Sequence, residues 1–321
     1  MRIRRTLEKD GNLLPRTWNV LAGVPEEFWH HAAHGKRHPK SVYSTSLRLI
    51  SEQWLKVLDR LDALYREHNW EGKEAGFPDL LSEYRELLSR LHEHFDACFS
   101  VLRSLCPPDS ANQTVFDSQF LGKTKLPGWK PFRDAISPYR EDHIGVLVNT
   151  MKHSQGELCS IFFHSKVEFR PGYFLRDILP GGALGPSAKL HSDGETAFSF
   201  SRDMMFHFWW LYRTGDLLAD TICTVLRAKH KYELEEAPQD SNLLLEVAKR
   251  CANLRPEFFP DEIEKSYPRI LHQPSPCMLT IEFPSSAQSH RVGEMQVCTS
   301  IVIDGAHLSN KMPYFPKTKS R

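Results

Sequence analysis

Two apolar stripes of helical period dominate the first third of the chain. From Ser44 to Asn69, Leu47, Ile50, Trp54, Val57, Leu61 and Leu64 recur at steps of three or four residues. From Asp79 to Leu105 the rhythm returns in Leu80, Tyr84, Leu87, Leu91, Phe95, Cys98, Leu102 and Leu105. That spacing gathers each set on one face of a helix, which must find an apolar surface to cover it. The intervening NWEGKEAGFP carries two glycines and a proline and breaks the helix. Each helix is about 26 residues, or roughly 39 Å at 1.5 Å per residue. A short link between two such rods makes them antiparallel neighbours, so the chain is committed to a helical bundle.

The rest of the sequence adds to that bundle. Pro107 and Pro108 end the second helix, and a polar, irregular connection follows. A third helix is expected from about Phe132 to His153, with Ile136, Tyr139, His143, Val146 or Leu147, and Met151 on its apolar side and Gly156 as its stop. Cys159 to Phe169 and Ala197 to Ser201 are rich in β-formers and flank the Gly- and Pro-dense LPGGALGPSAKLHSDGE, which predicts a β insertion at about 158–201. Ser201, Arg202 and Asp203 open a fourth helix running to about Lys229. It is apolar on most sides between Met204 and Leu211, as a central helix would be. A short helix from Ser241 to Cys251 and two strands, CMLTIEFP and MQVCTSIVIDG, complete the reading. The expected fold is α+β and mainly helical: an antiparallel helical bundle with a β insertion and a small strand-containing C-terminal region. The expected divisions are an N-terminal arm at 1–40, the bundle at 41–231 and a mixed helix and strand region at 232–321.

Composition limits the partners. Lys and Arg total 41 and Asp and Glu 40, a formal net charge of +1, so an anionic partner must be held by a local patch. The seven cysteines are odd in number, widely spaced and without a CxxC pair, which suits thiols in a reducing compartment. The basic N-terminus has no apolar core behind it and so does not read as a secretory signal. The most apolar stretch, Met204 to Leu226, is interrupted by His207, Arg213, Asp216 and Asp220. It reads as a buried helix rather than a membrane span. These features predict a cytoplasmic protein with no membrane partner.

Several motifs carry candidate chemistry. His30 and His34, in a run with His31 and His38, have the i, i+4 spacing of paired metal ligands. The Glu of a zinc-protease helix is replaced by His31, and no third ligand lies near, so the run reads as a surface segment. No metal or cofactor is expected. Gly181, Gly182 and Gly185 match no phosphate-binding pattern and read as a turn. Arg213, Asp216 and Asp220 read as an ion-pair network within one buried helix. Lys123, Lys125, Lys130 and Arg133, interleaved with Trp129 and Phe132, combine phosphate-tracking cations with base-stacking rings. The competing reading is a linker whose Trp129 packs back on the bundle. The most specific pattern closes the third helix. Asn149 and His153 share a face at i, i+4, with Lys152 beside them and Asp142 two turns earlier. An imidazole that titrates near neutrality, a cation and an orienting amide are the ingredients of metal-free RNA cleavage. Lys and His at a helix C-terminus also simply complement its dipole.

This last pattern, on a helical bundle, resembles the HEPN superfamily (higher eukaryote and prokaryote nucleotide-binding domains). Members are bundles of four or five helices, and many are dimeric, metal-independent ribonucleases of bacterial defence systems. Their motif is Arg, a polar residue, a few residues, then His. Asn149 matches the polar position and His153 the histidine, while Val148 stands where the family has its phosphate-holding Arg. The resemblance spans about residues 41–230. It implies a homodimeric RNA-binding protein or ribonuclease in a defence or stress system, with His153 as acid and base, Lys152 on the phosphate and Asn149 orienting. The alternative is a non-catalytic interaction or scaffold protein.

Overall fold

A computed structural model describes residues 1–67, 77–108, 116–154, 156–165, 168–191, 194–285, 295–299 and 309–315. The fold is mixed and mainly helical. The two striped segments form α3 (Pro39–Glu67) and α4 (Phe77–Arg103). Their cross-links run in opposite senses along the two helices: Ser46 bonds to His94, Gln53 to Glu83, and Arg60 pairs with Asp79. The pair is therefore antiparallel, with Leu47, Ile50, Trp54, Leu80, Tyr84 and Leu87 fully buried between it and the other elements.

The expected third helix is two helices. After α5 (Asp117–Thr124), α6 (Trp129–Arg140) and α7 (Ile144–His153) are separated by a turn at 141–143. Gly145 lies so close to the end of α6 that a Cβ there would sit 2.3 Å from the Arg140 carbonyl oxygen. The apolar spacing continues through the break, so periodicity alone does not reveal it. Its consequence is that His143 becomes the N-cap residue of α7 and no longer points down one continuous helix face.

The fourth helix, α8 (Phe200–His230), is the central element. It packs on α4, α6, α2 (Thr17–Gly23) and α9 (Leu245–Ala252), and on both sheets. Met204, Phe208, Tyr212, Leu218 and Ile222 have no exposed surface. Burying a large apolar side chain contributes roughly 1.5–3 kcal/mol, so this helix carries much of the core's stability.

Among the described residues the strands form two antiparallel sheets. One is ordered β1 (Arg2–Thr6), β7 (Cys277–Ser285), β6 (Tyr267–Pro274). The other runs β4 (Leu184–Pro186), β3 (Phe169–Ile178), β2 (Glu157–His164), β8 (Gln296–Thr299), with β5 (Phe198–Ser199) also on β3. The two C-terminal strand segments thus part company: β7 pairs with β1, and β8 joins the insertion strands. The second segment's remainder, 300–305, lies outside the described residues. Residues 1–40, read as an arm, pack into the common core through Ile3, Leu13, Leu14, Val20 and Leu21. Gly181 and Gly182, both at positive φ, form the turn between β3 and β4.

Candidate metal centre

Asp203 sits in the first turn of α8, where a carboxylate complements the helix dipole. His207 follows one turn later on the same face. The start of α8 is fixed from outside: the buried Glu262 carboxylate accepts the Ser199 N–H at 3.2 Å and the Phe259 N–H at 2.9 Å. Burial pushes the Glu262 carboxyl up to about 7. Close packing brings the neighbouring strand in. At Gly172 any Cβ would lie 2.2 Å from the Phe198 oxygen, so glycine is what lets β5 meet β3 and deliver Tyr173 toward Asp203.

The carboxylate of Asp203 is the hub. Its Oδ2 accepts from the Tyr84 hydroxyl at 2.7 Å, from the Tyr173 hydroxyl, and from His207 Nε2 at 3.1 Å. Its Oδ1 faces His143 Nε2 at 3.4 Å. That nitrogen is buried and without a hydrogen-bond partner. His207 Nδ1 meets the Tyr139 hydroxyl at 2.8 Å. With Nε2–H donating to the carboxylate, Nδ1 is left to accept from Tyr139. The side chains of Asp203 and His207 are 4% and 0% exposed, whereas His143 is 17% exposed and forms the site's open edge.

Electrostatics follow from this geometry. Burial alone would raise the Asp203 carboxyl, but His207 and His143 outweigh it and hold the group well below the usual carboxylate range. Burial, with the Asp203 charge beside them, drives the hydroxyls of Tyr84, Tyr173 and Tyr139 well above 10. They therefore stay protonated. The site is an ionised carboxylate held by neutral donors, with two imidazoles on it.

Aromatic rings wall the cluster. Tyr139 stacks on Trp210 at 4.9 Å, and His143 lies 5.2 Å from Phe206 and 5.5 Å from Phe198. His191 lies under Phe198, at 4.6 Å. Its Nε2 accepts the Leu175 N–H at 3.0 Å, so its proton is on Nδ1, and burial pushes its pKa down to about 3.

One ligand atom from each of His143, Asp203 and His207 lies within 4.8 Å of the others. Two ligand atoms 3.4 Å apart with bonds of about 2.1 Å subtend roughly 110° at an ion, close to the tetrahedral angle. Two imidazoles and one carboxylate form a donor set for zinc, iron(II) or another first-row divalent ion. When His207 Nε2 ligates an ion, its proton lies on Nδ1 and is donated to the Tyr139 oxygen, while Tyr84 and Tyr173 donate to Asp203; these outer hydrogen bonds orient such ligands.

The residues singled out from sequence lie elsewhere. Asn149, Lys152 and His153 are exposed on the last turns of α7. Lys152 borders a cleft of about 620 Å³ with Lys56, Arg85 and Arg90; Asn149 and His153 are not part of its lining. Lys130 and Arg133 both pair with Asp134 on their own helix. Lys123 and Lys125 are exposed on either side of the end of α5. Trp129 does not offer a stacking face to a base. It is 5% exposed and packs edge-on against Phe99 at 5.3 Å, because its ring completes the apolar contact of α6 with α4. His34 and His38 are engaged by the Cys106 carbonyl and by Glu26, and the His30–His34 run is not helical through its length. Asp220 pairs with Arg16 of the preceding segment instead of Arg213. All seven cysteines are free thiols. No helix among the described residues is long and apolar enough to cross a membrane.

Sequence does not announce the metal-type cluster because its three ligands come from two places 60 residues apart, and His143 keeps the spacing of a helix-face residue. The available signal was the Asp203, His207 spacing at the start of a buried helix. Comparison of the chain with protein-family models, with curated proteins and with solved structures finds no match.

Proposed function

We propose that this protein is a metalloprotein whose activity resides in a divalent transition-metal centre held by His143, Asp203 and His207. One observation carries the reading: His143 Nε2 is buried without a hydrogen-bond partner and faces Asp203 Oδ1 at 3.4 Å, with His207 on the same carboxylate. Leaving a buried nitrogen unsatisfied is costly, and an ion held between it and the Asp203 carboxylate would satisfy it. Three protein ligands leave at least one coordination position for water or a small substrate, the pattern of catalytic rather than structural sites. The chemistry a bound ion supplies there is Lewis-acid polarisation or activation of water. The chain's own residues hold Asp203 ionised, orient His207 through Tyr139, and keep bulk water away with Phe198, Phe206 and Trp210.

The test is metal analysis of the protein purified without chelator and after reconstitution with zinc or, anaerobically, with iron(II). The reading expects one ion per chain in the wild type and a large loss of affinity in His143→Ala, whose side chain is the least buried of the three ligands. Stoichiometric binding that survives His143→Ala and His207→Ala would place the ion elsewhere and end the proposal.

A second reading rests on the exposure of Asn149, Lys152 and His153 together at one helix end, with Lys152 on a cleft that carries Lys56, Arg85 and Arg90 alongside Glu52, Glu83 and Glu86. RNA binding or metal-independent cleavage at that end of α7 is tested by incubating RNA with wild type and His153→Ala in EDTA. Equal cleavage by both, or none by either, removes the catalytic claim.

A further inference from the structure

A second site lies where the basic N-terminus folds against the segment after α8. Strand β1 alternates: Arg2 and Arg4 face outward, and Ile3 and Arg5 inward. Arg5 is 5% exposed, an uncommon setting for a guanidinium. Its Nη1 lies 3.3 Å from Asp10 Oδ1, but Nε and Nη2 are buried with no hydrogen-bond partner. Those two N–H groups form one edge of the guanidinium fork, the edge that grips a carboxylate or phosphate in bidentate fashion.

Arg5 lines a cleft of about 650 Å³ together with Arg4, Lys9, Asp10, Arg16 and Glu236. Four cations stand against two carboxylates, and both carboxylates are already engaged. Glu236 holds Arg16 at 2.6 Å, and Asp10 takes Arg5 Nη1 and, at 2.8 Å, the Thr6 N–H. Arg16 is occupied a second time by Asp220. Lys9 is exposed and has no ion pair among the described residues, and Arg4 is held through Nε on the Met278 sulfur. The positive surplus therefore resides on Lys9 and Arg4, beside the unpartnered edge of Arg5. None of the residues of the metal centre lines this cleft.

We propose that this cleft binds a small phosphate-bearing molecule, its phosphate taken by the free edge of Arg5 and by Lys9, with Arg4 at the rim. Lys9 and Arg4 carry no carboxylate partner among the described residues, and the fork supplies the directed hydrogen bonds that a lone lysine cluster lacks. The cleft is large enough for more than the phosphate alone.

Isothermal titration calorimetry of the full chain with inorganic phosphate, at fixed ionic strength in chloride, tests the assignment. Phosphate is expected to bind at one site per chain. Lys9→Ala, an exposed change that leaves the fold intact, should weaken it about fivefold, and Arg5→Lys, which keeps the charge and removes the fork, about tenfold or more. Circular dichroism of Arg5→Lys separates lost binding from lost folding, and Lys9→Ala carries the test if Arg5→Lys is unfolded. No phosphate heat above the chloride background overturns the proposal. So does an affinity unchanged in Lys9→Ala, or preference for the dicarboxylate succinate over phosphate.

Discussion

His143 and Asp203 meet across 3.4 Å although one comes from the break between two helices and the other from the first turn of a third. The approach requires that α6 and α7 be separate helices, and it leaves the buried His143 Nε2 facing the carboxylate without a hydrogen-bond partner.

Tyr139→Phe should separate orientation from ligation. The ring still packs on Trp210, and only the bond to His207 Nδ1 disappears. Loss of such an outer-shell bond typically lowers metal affinity about 10–100-fold. Titration calorimetry with zinc should show that loss with circular dichroism unchanged.

Tyr84→Phe removes one of the donors on Asp203 Oδ2. A hydrogen bond to a buried charge contributes about 1.5–3 kcal/mol, and urea unfolding should report a loss in that range. Asp203→Ala should cost more, on the order of 3–5 kcal/mol, because it strips the common partner from two tyrosines and His207.

Gly145→Ala tests the turn that presents His143. The added Cβ would meet the Arg140 oxygen at 2.3 Å, so the junction must open. The expected outcome is a lower melting temperature together with weaker metal binding, measured on the same sample.

The pH dependence of stability should carry two opposed contributions. Burial lowers the His94 imidazole to about 4, so the unfolded chain takes up a proton near 6.5 before the folded one does. Its stabilising contribution is present above 6.5 and is lost as the pH falls toward 4, by up to about 3 kcal/mol. Glu262 acts in reverse. With its carboxyl raised to about 7, its contribution is full below 4.5 and is lost as the pH rises through 7. Urea unfolding at several pH values should show a shallower acid loss in His94→Gln and a smaller alkaline loss in Glu262→Gln than in the wild type.

The fold was legible in the sequence where one face of an element does one job. The stripes of α3 and α4, and the all-round apolarity of α8, announce a buried pair and a central helix. The β insertion was legible from its β-formers and glycines. The junction at 141–143 was not, because Tyr139, His143 and Leu147 keep helical spacing straight through it. The metal-type cluster was hidden for a related reason. Asp203 and His207 sit among Met204, Met205, Phe206 and Phe208, where a polar pair reads as an exception on a core helix, and their partners Tyr84 and Tyr173 read as ordinary core aromatics. Conversely, Asn149, Lys152 and His153 stand out in sequence because they are exposed at a helix end, a position that needs no special chemistry to be polar.

Cobalt(II) titration of the metal-free protein, followed by visible absorption, tests the central claim most directly. The account predicts saturation at one cobalt per chain, with the intense ligand-field bands of a four- or five-coordinate nitrogen and oxygen site, and their disappearance in His143→Ala. A featureless titration, or bands unchanged in His143→Ala, would contradict it and leave Asp203 as the hub of a purely structural hydrogen-bond network.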